Sequence, residues 1–276
     1  MRLLHLSDPH VQLRDWRRRP LRALGPLRAV ATVELWKGRG RVFDGAEESL
    51  AAWARAGAAY DHVLLTGDLS QLGMKEELAL ARTALGELAS DPTRLTVFPG
   101  NHDRYPWAGR AQRWFEEVFP EHLGADYTFG PVRVLLRGEV ALVVADSSLA
   151  VNWPVWSQGR IDAATLKGTQ AALALAALNS RCKLVLTHHA PLLAGGRRPF
   201  LRHHLAGHEA FLRVCAEGGA QAVLAGHVHE RYLVEPAEGR PLIVCCGSST
   251  ALGDRGAWAL EVKDGKLQRP ARLREP

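Results

Sequence analysis

The chain has 276 residues, 47% of them hydrophobic, which is enough for one sizeable core and too little for several large domains. No apolar run approaches the roughly 20 residues that cross a bilayer, and the N-terminus runs straight into Asp8-Pro9-His10 without a leader-like stretch, so a cytoplasmic protein is expected. The formal charge of +6 is concentrated: residues 11–44 hold nine basic and three acidic side chains, an excess equal to that of the whole chain.

In chain order, an apolar strand is expected at Arg2–Leu6. The basic segment 11–44 comes next, with Trp16 and Trp36 interleaved and Leu21, Leu24, Leu27, Val30 and Leu35 at near-helical spacing. It reads as a basic amphipathic insertion suited to an acidic partner, either a polyanion or an anionic lipid surface, with a solvated helical arm as the alternative. Beyond it lie a helix at 47–59, a strand at His62–Leu65, a helix at 74–88, a strand at 94–98 and a helix at 110–119. Strands at 141–145, 183–186 and 222–224 then alternate with helices at 163–178 and 207–217, the last stopped by Gly218-Gly219. The end changes character: strands at 241–246, 257–262 and 266–270, the last two joined by Asp264-Gly265, predict a β-meander with a tight hairpin. The alternation implies an α/β fold with helices on the faces of a sheet. Without repeats or a long linker, residues 1–276 read as one domain carrying the insertion. The four cysteines lack metal-ligand spacing and are expected to be reduced and buried.

The chemistry-bearing residues come directly after the strands. Asp8 and His10 succeed the first, Gly67-Asp68 the second, and Gly100-Asn101-His102-Asp103 the third. His188-His189 and Gly226-His227-Val228-His229 end two later ones. Loops at the carboxyl ends of strands in an α/β sheet converge on one edge, so these blocks are expected to meet. Imidazole with carboxylate or amide oxygen suits Mn, Fe, Co, Ni or Zn. In Asp-x-His and His-x-His, alternate side chains of an extended backbone point the same way, letting one strand end supply two ligands.

The series Asp8-x-His10, Gly67-Asp68, Gly100-Asn101-His102-Asp103, His188 and Gly226-His227-x-His229 resembles the five-block signature of the calcineurin-like metallophosphoesterase superfamily. The spelling of the third and fifth blocks is similar to the bacterial cyclic-nucleotide phosphodiesterase branch. The resemblance implies a two-sheet β-sandwich flanked by helices and two divalent metal ions, Mn²⁺ or Fe first, Zn²⁺ or Co²⁺ next. It implies that Asp8, His10 and His229 hold the first ion, Asn101, His188 and His227 the second, and that Asp68 bridges them. A metal-bridging hydroxide would then attack a phosphate diester, with His102 as proton donor or charge stabiliser oriented by Asp103. His189 is the alternative to His188 as ligand and is otherwise a residue behind the ligands or facing substrate. Arg197 and Arg198 are candidate substrate clamps, since guanidinium matches phosphate. Trp153 and Trp156 are candidates to stack on a base or cover an acyl chain, or simply to pack.

The expected substrate is a small anionic phosphodiester, a cyclic nucleotide or similar. Three alternatives compete with it. A nucleotide-linked lipid precursor of the UDP-diacylglucosamine type is favoured by the insertion and disfavoured by His102, where the dedicated lipid-A hydrolases carry Arg. A DNA-repair-type nuclease fits the pI of 9.4 but has no added domain for a duplex, so nucleic acid is not the expected partner. A non-catalytic scaffold should have lost ligands, and every position here is filled.

Overall fold

The computed structural model describes residues 1–13, 33, 37–38, 40–104, 113–148 and 157–276. The apolar stripe from Leu21 to Leu35, Trp16, Trp36, Trp153 and Trp156 lie outside the described residues.

The strands begin with β1 (Arg2–Leu6), β2 (His62–Leu65), β3 (Leu95–Val97), β4 (Tyr127–Phe129) and β5 (Val132–Arg137). Next come β6 (Val140–Ala145), β7 (Gly159–Arg160), β8 (Cys182–His189), β9 (Leu205–Ala206) and β10 (Ala222–Gly226). The last are β11 (Tyr232–Val234), β12 (Leu242–Cys245), β13 (Gly256–Lys263), β14 (Lys266–Leu267) and β15 (Ala271–Arg274). The longer described helices are α1 (Ala46–Ala56), α2 (Lys75–Leu85), α3 (Trp114–Val118), α4 (Ala163–Leu173) and α5 (His208–Glu217).

Two sheets form. One runs β14-β13-β1-β2-β3 with β15 also on β13; the other runs β11-β12-β10-β8-β6-β5-β4. The central strands are apolar on both faces because both faces are covered. In β6, Val140, Leu142 and Val144 enter the core between the sheets, while Ala141, Val143 and Ala145 face the helices outside. In β1, Leu3 faces inward, and Leu4 and Leu6 pack with Leu50 and Trp53 of α1 and Leu78 and Leu85 of α2. Phe211 and Leu212 of α5 cover the far face of the second sheet. The result is the expected two-sheet sandwich flanked by helices.

Several boundaries differ from the sequence reading. The helices expected to end at 59 and 178 end at Ala56 and Leu173, each succeeded by a separate 3-10 turn, Gly57–Ala59 and Ala176–Leu178. Leu175, in extended conformation, separates the latter pair. The hairpin at Asp264-Gly265 forms between β13 and β14, but the meander is divided. β12 joins β10 in parallel in the second sheet, while β13 joins β1 antiparallel in the first. All four cysteines are free and buried, as expected. No described helix is long and apolar enough to cross a membrane.

Parallel pairing positions the loops. β1, β2 and β3 are parallel neighbours, as are β6, β8, β10 and β12. Their carboxyl ends therefore open on the same edge of the sandwich.

Candidate metal centre

The chain turns sharply as it leaves these strands. Asp8, His10, Asp68, His227 and His229 have φ between 47° and 70°, and they are five of the seven non-glycine residues with positive φ among those described. Each such conformation costs on the order of 1–3 kcal/mol and persists only where the surroundings fix it. Here the strain gathers at one place. Two glycines make room: a Cβ on Gly226 would lie 1.9 Å from Ser7 Oγ, and one on Gly100 would lie 2.2 Å from Asp68 Oδ1.

The side chains converge. His10 Nε2 and His229 Nε2 are 2.9 Å apart, and Asp8 Oδ1 lies 3.7 Å from the first and 3.3 Å from the second. Asp68 Oδ2 lies 3.7 Å from His10 Nε2 and 3.3 Å from His188 Nε2, so one carboxylate oxygen stands between two groups of nitrogens. His188 Nε2 also approaches Asn101 Oδ1 at 3.0 Å. Ligand atoms of Asp8, His10 and His229, and of Asp8, Asp68 and His188, lie within 4.8 Å of one another. Asp8 Oδ1 is buried with no hydrogen-bond partner, an arrangement that suits a cation and penalises an apolar void. The donor set of imidazole and carboxylate without thiolate fits first-row divalent ions.

A second layer aims these groups. Ser7 Oγ and the His227 N–H donate to Asp8 Oδ2 at 2.6 and 2.8 Å, which leaves Oδ1 turned toward the histidines. The His102 N–H donates to Asp68 Oδ1 at 2.7 Å, which leaves Oδ2 facing His10 and His188. His188 Nδ1 lies 2.8 Å from the Thr66 carbonyl, so it carries the proton there and turns Nε2 to the centre. The Phe43 ring packs on His10 and His229, with centroids 4.5 and 5.6 Å away.

Electrostatics agree with a cation site. Burial opposes charge on Asp8, yet the surrounding His10, His229 and His188 imidazoles hold it well below the usual carboxylate range. Asp68 is held low in the same way by His188, His102 and His10, against its burial. Burial also opposes charge on His188, but the Asp68 carboxylate outweighs it and pushes the imidazole up to about 10. The two carboxylates thus demand positive charge between them.

Of the sequence candidates, all seven proposed ligands lie at this edge, and His102 joins them with its ring 4.7 Å from that of His10. The role expected for Asp103 is corrected. Its carboxylate accepts from the N–H groups of Leu69, Ser70 and Gly100 and from Ser70 Oγ, tying two ligand loops together. Burial and the nearby Asp68 raise its pKa to about 6. The His102 ring is instead held by the Gln71 carbonyl, 2.7 Å from Nδ1. His189 is fully buried beside His188. Ser147 Oγ accepts from its backbone N–H at 3.1 Å and lies 2.8 Å from Nδ1. Burial and the nearby His227 and His188 hold the ring neutral, with Ser147 on Nδ1 and Nε2 as its other nitrogen. That Nε2 has no partner, and the ring centroid lies 4.3 Å from His227. Arg197 and Arg198 are exposed and turn to the Ala194 carbonyl and to Glu209, touching none of the ligands.

Sequence reading passed over Ser7, Phe43, Gln71, Ser147, Ser248 and Thr250. The last two donate to the carbonyls of Asp8 and Pro9 at 2.7 and 2.6 Å and fix the first ligand loop. A signal existed for them: Gly247-Ser248-Ser249-Thr250 comes after β12 at the same sheet edge.

Solved structures share this fold. The protein TT1561 of Thermus thermophilus aligns over 99% of both chains with 17% identity and a TM-score of 0.51. A purple acid phosphatase from yellow lupin (Lupinus luteus) seeds matches all of this chain at 13% identity and a TM-score of 0.62, this chain spanning 54% of it. The sulfate thiohydrolase SoxB of Thermus thermophilus matches 99% of this chain at 18% identity and a TM-score of 0.53, with 56% of its own length covered. No curated protein matches the chain significantly. The description of the calcineurin-like phosphoesterases, by contrast, matches residues 1–231, the stretch that carries every ligand loop. The chain belongs to the calcineurin-like phosphoesterase family and is a metal-dependent phosphoric ester hydrolase.

Proposed function

We propose that the protein is a dinuclear-metal phosphodiesterase acting on a small anionic diester, of which cyclic nucleotides are the first class to test. The observation that carries this reading is Asp68, whose Oδ2 faces His10 at 3.7 Å and His188 at 3.3 Å, the place of a carboxylate shared by two cations. Asp8, His10 and His229 would hold one ion and Asn101, His188 and His227 the other. When bound, a pair of divalent cations supplies an activated water at neutral pH and neutralises charge on the phosphoryl oxygens.

The chain's own residues do the rest. Ser7 and the His227 N–H keep Asp8 Oδ1 turned inward, and the His102 N–H does the same for Asp68 Oδ2. The His102 ring, buried and fixed at Nδ1 by Gln71, is the group that would protonate the departing alkoxide. The Gly-Asn-His-Asp spelling, like that of cyclic-nucleotide phosphodiesterases, supports a diester. A nucleotide-linked lipid diester is the second reading, favoured by Val42, 40% exposed next to the Phe43 ring that packs on His10 and His229. Both fit a cytoplasmic enzyme.

The deciding experiment is turnover of bis-p-nitrophenyl phosphate, cyclic AMP, a UDP-linked lipid and single-stranded DNA with Mn²⁺ present. Cyclic AMP turnover supports the first reading, and turnover of the lipid alone replaces it with the second. Asp68→Asn should lose activity on the order of 10³-fold with the fold intact, since charge at both ion positions falls. An active Asp68→Asn protein would refute the shared-carboxylate reading.

A further inference from the structure

Alternation along a strand sends adjacent side chains to opposite faces, so His188 and His189 should diverge at the end of β8. They stay together instead. β8 pairs with β10 at Leu186 and Leu224, and the next paired residues are His189 and Gly226, so β8 carries one more residue than its neighbour over this stretch. Such a bulge re-aims a side chain. Here it sets two consecutive imidazoles against a third. Ring centroids are 4.9 Å apart for His188 and His189, 4.3 Å for His189 and His227, and 5.2 Å for His188 and His227. One ring nitrogen from each lies within 4.8 Å of the others.

The surroundings hold the His189 ring firmly. Ser147 Oγ lies 2.8 Å from Nδ1 and accepts from the His189 backbone N–H at 3.1 Å. Gly159 of β7 closes on the same ring: a Cβ there would lie 2.4 Å from His189 Cγ. The φ of Gly159 is not in the left-handed region, so this glycine supplies space rather than conformation. β9 holds Gly159 in place by pairing with it at Leu205, and the Gly159 N–H donates to the His204 carbonyl at 2.9 Å. His189 Nε2, by contrast, is buried and has no hydrogen-bond partner among the described residues. An open nitrogen alone carries little, since His5 Nδ1 also lacks a partner. What sets His189 apart is that its open nitrogen belongs to a group of three imidazoles converging at the ligand edge. His62 and His122, which only pack, engage both of their nitrogens.

We infer that His189 is a further ligand of the second ion, binding through Nε2 beside His188, His227 and Asn101, with its Nδ1–H donated to Ser147 Oγ. The inference rests on the dinuclear reading above. A buried nitrogen without a partner is costly, and coordination satisfies it. The second position then presents three imidazoles, the Asn101 amide oxygen and the shared Asp68 carboxylate. That set is richer in nitrogen than the first position and suits first-row ions later than Mn²⁺, so Co²⁺ is the probe.

The test is proton NMR of the full chain loaded with Co²⁺, in which each coordinated imidazole contributes an N–H resonance displaced far from the ordinary range by the paramagnetic ion. His189→Phe keeps a ring in the space and removes the nitrogen. It should erase one displaced N–H resonance and weaken uptake of the second Co²⁺ by more than about 100-fold, beyond the effect of a merely supporting group. Survival of every displaced resonance in that variant makes His189 a packing or positioning residue and overturns the inference, even where affinity falls. Should His189→Phe not fold, Ser147→Ala decides. It keeps the His189 ring and should move one displaced resonance, and a spectrum identical to that of the wild type overturns the inference. A wild type that takes up only one Co²⁺ refutes the dinuclear reading itself, and the inference with it.

Discussion

Two side chains separate positioning from chemistry at the residue scale. His102 lies within reach of the ligands, and its Nδ1 is committed to Gln71. His102→Ala should cut kcat on alkyl diesters by roughly 10²–10⁴-fold and change p-nitrophenyl esters by less than about tenfold, because the second leaving group needs no proton. Equal losses on both substrates would exclude a proton-donor role. Ser147 acts through His189: it holds the ring 4.3 Å from His227. Ser147→Ala should weaken divalent-ion binding by about tenfold, the lower end of the effect of such supporting groups, and titration calorimetry measures it directly. Unchanged affinity would make Ser147 a packing residue only.

At the scale of elements, buried histidines on β1 and at the start of β2 make the sandwich acid-labile. His62 hydrogen-bonds to the Thr93 carbonyl and Thr96 Oγ1, and burial lowers its pKa from the ordinary 6.5 to about 4. His5 bonds to Thr66 Oγ1, and burial lowers it to about 3 despite the nearby Asp8. Both must be neutral in the fold and gain protons on unfolding at acid pH. Their contribution is complete above pH 6.5 and declines as pH falls through the window down to about 4 and then 3. Near pH 5 each should cost about 2 kcal/mol. Urea unfolding near pH 7.5 and near pH 5 measures this, and His62→Gln should flatten the dependence. A stability that does not change over that interval would contradict the burial argument.

For the molecule as a whole, the strained ligand loops predict a fold stabilised by ions. The five ligands with positive φ are drawn from β1, β2 and β10, so an ion bound among them ties both sheets together. At about 100 times its dissociation constant, a bound ion adds roughly 2.7 kcal/mol. That corresponds to a rise in Tm on the order of 5–10 °C for a chain of this size. Calorimetry with Mn²⁺ and then with a chelator checks it, and Asp68→Asn should remove most of the rise. A Tm indifferent to ions in the wild type would refute an ion-linked fold.

The sequence by itself determined the strand-loop-helix rhythm, because strands covered on both faces must be apolar throughout and this pattern survives in one dimension. It also brought the candidate ligands together, because Asp8, Asp68, Asn101, His188 and His227 each stand at a strand end and parallel strands end on one edge. It left β5 and β15 unread, since Arg133, Arg137, Arg272 and Arg274 interrupt the apolar pattern of strands that are only partly covered. The destination of β12 was equally hidden: nothing local says that it pairs with β10 rather than with β13. Nothing local separates His188 from His189; tertiary structure sets Thr66, Asn101 and Asp68 around the first ring and Ser147 against the second. The same holds for Asp103, which sequence adjacency gave to His102 and the fold gave to the amides of Leu69, Ser70 and Gly100. Which strand end a side chain occupies is local information, whereas which donor meets it across the edge depends on how two sheets and their turns pack.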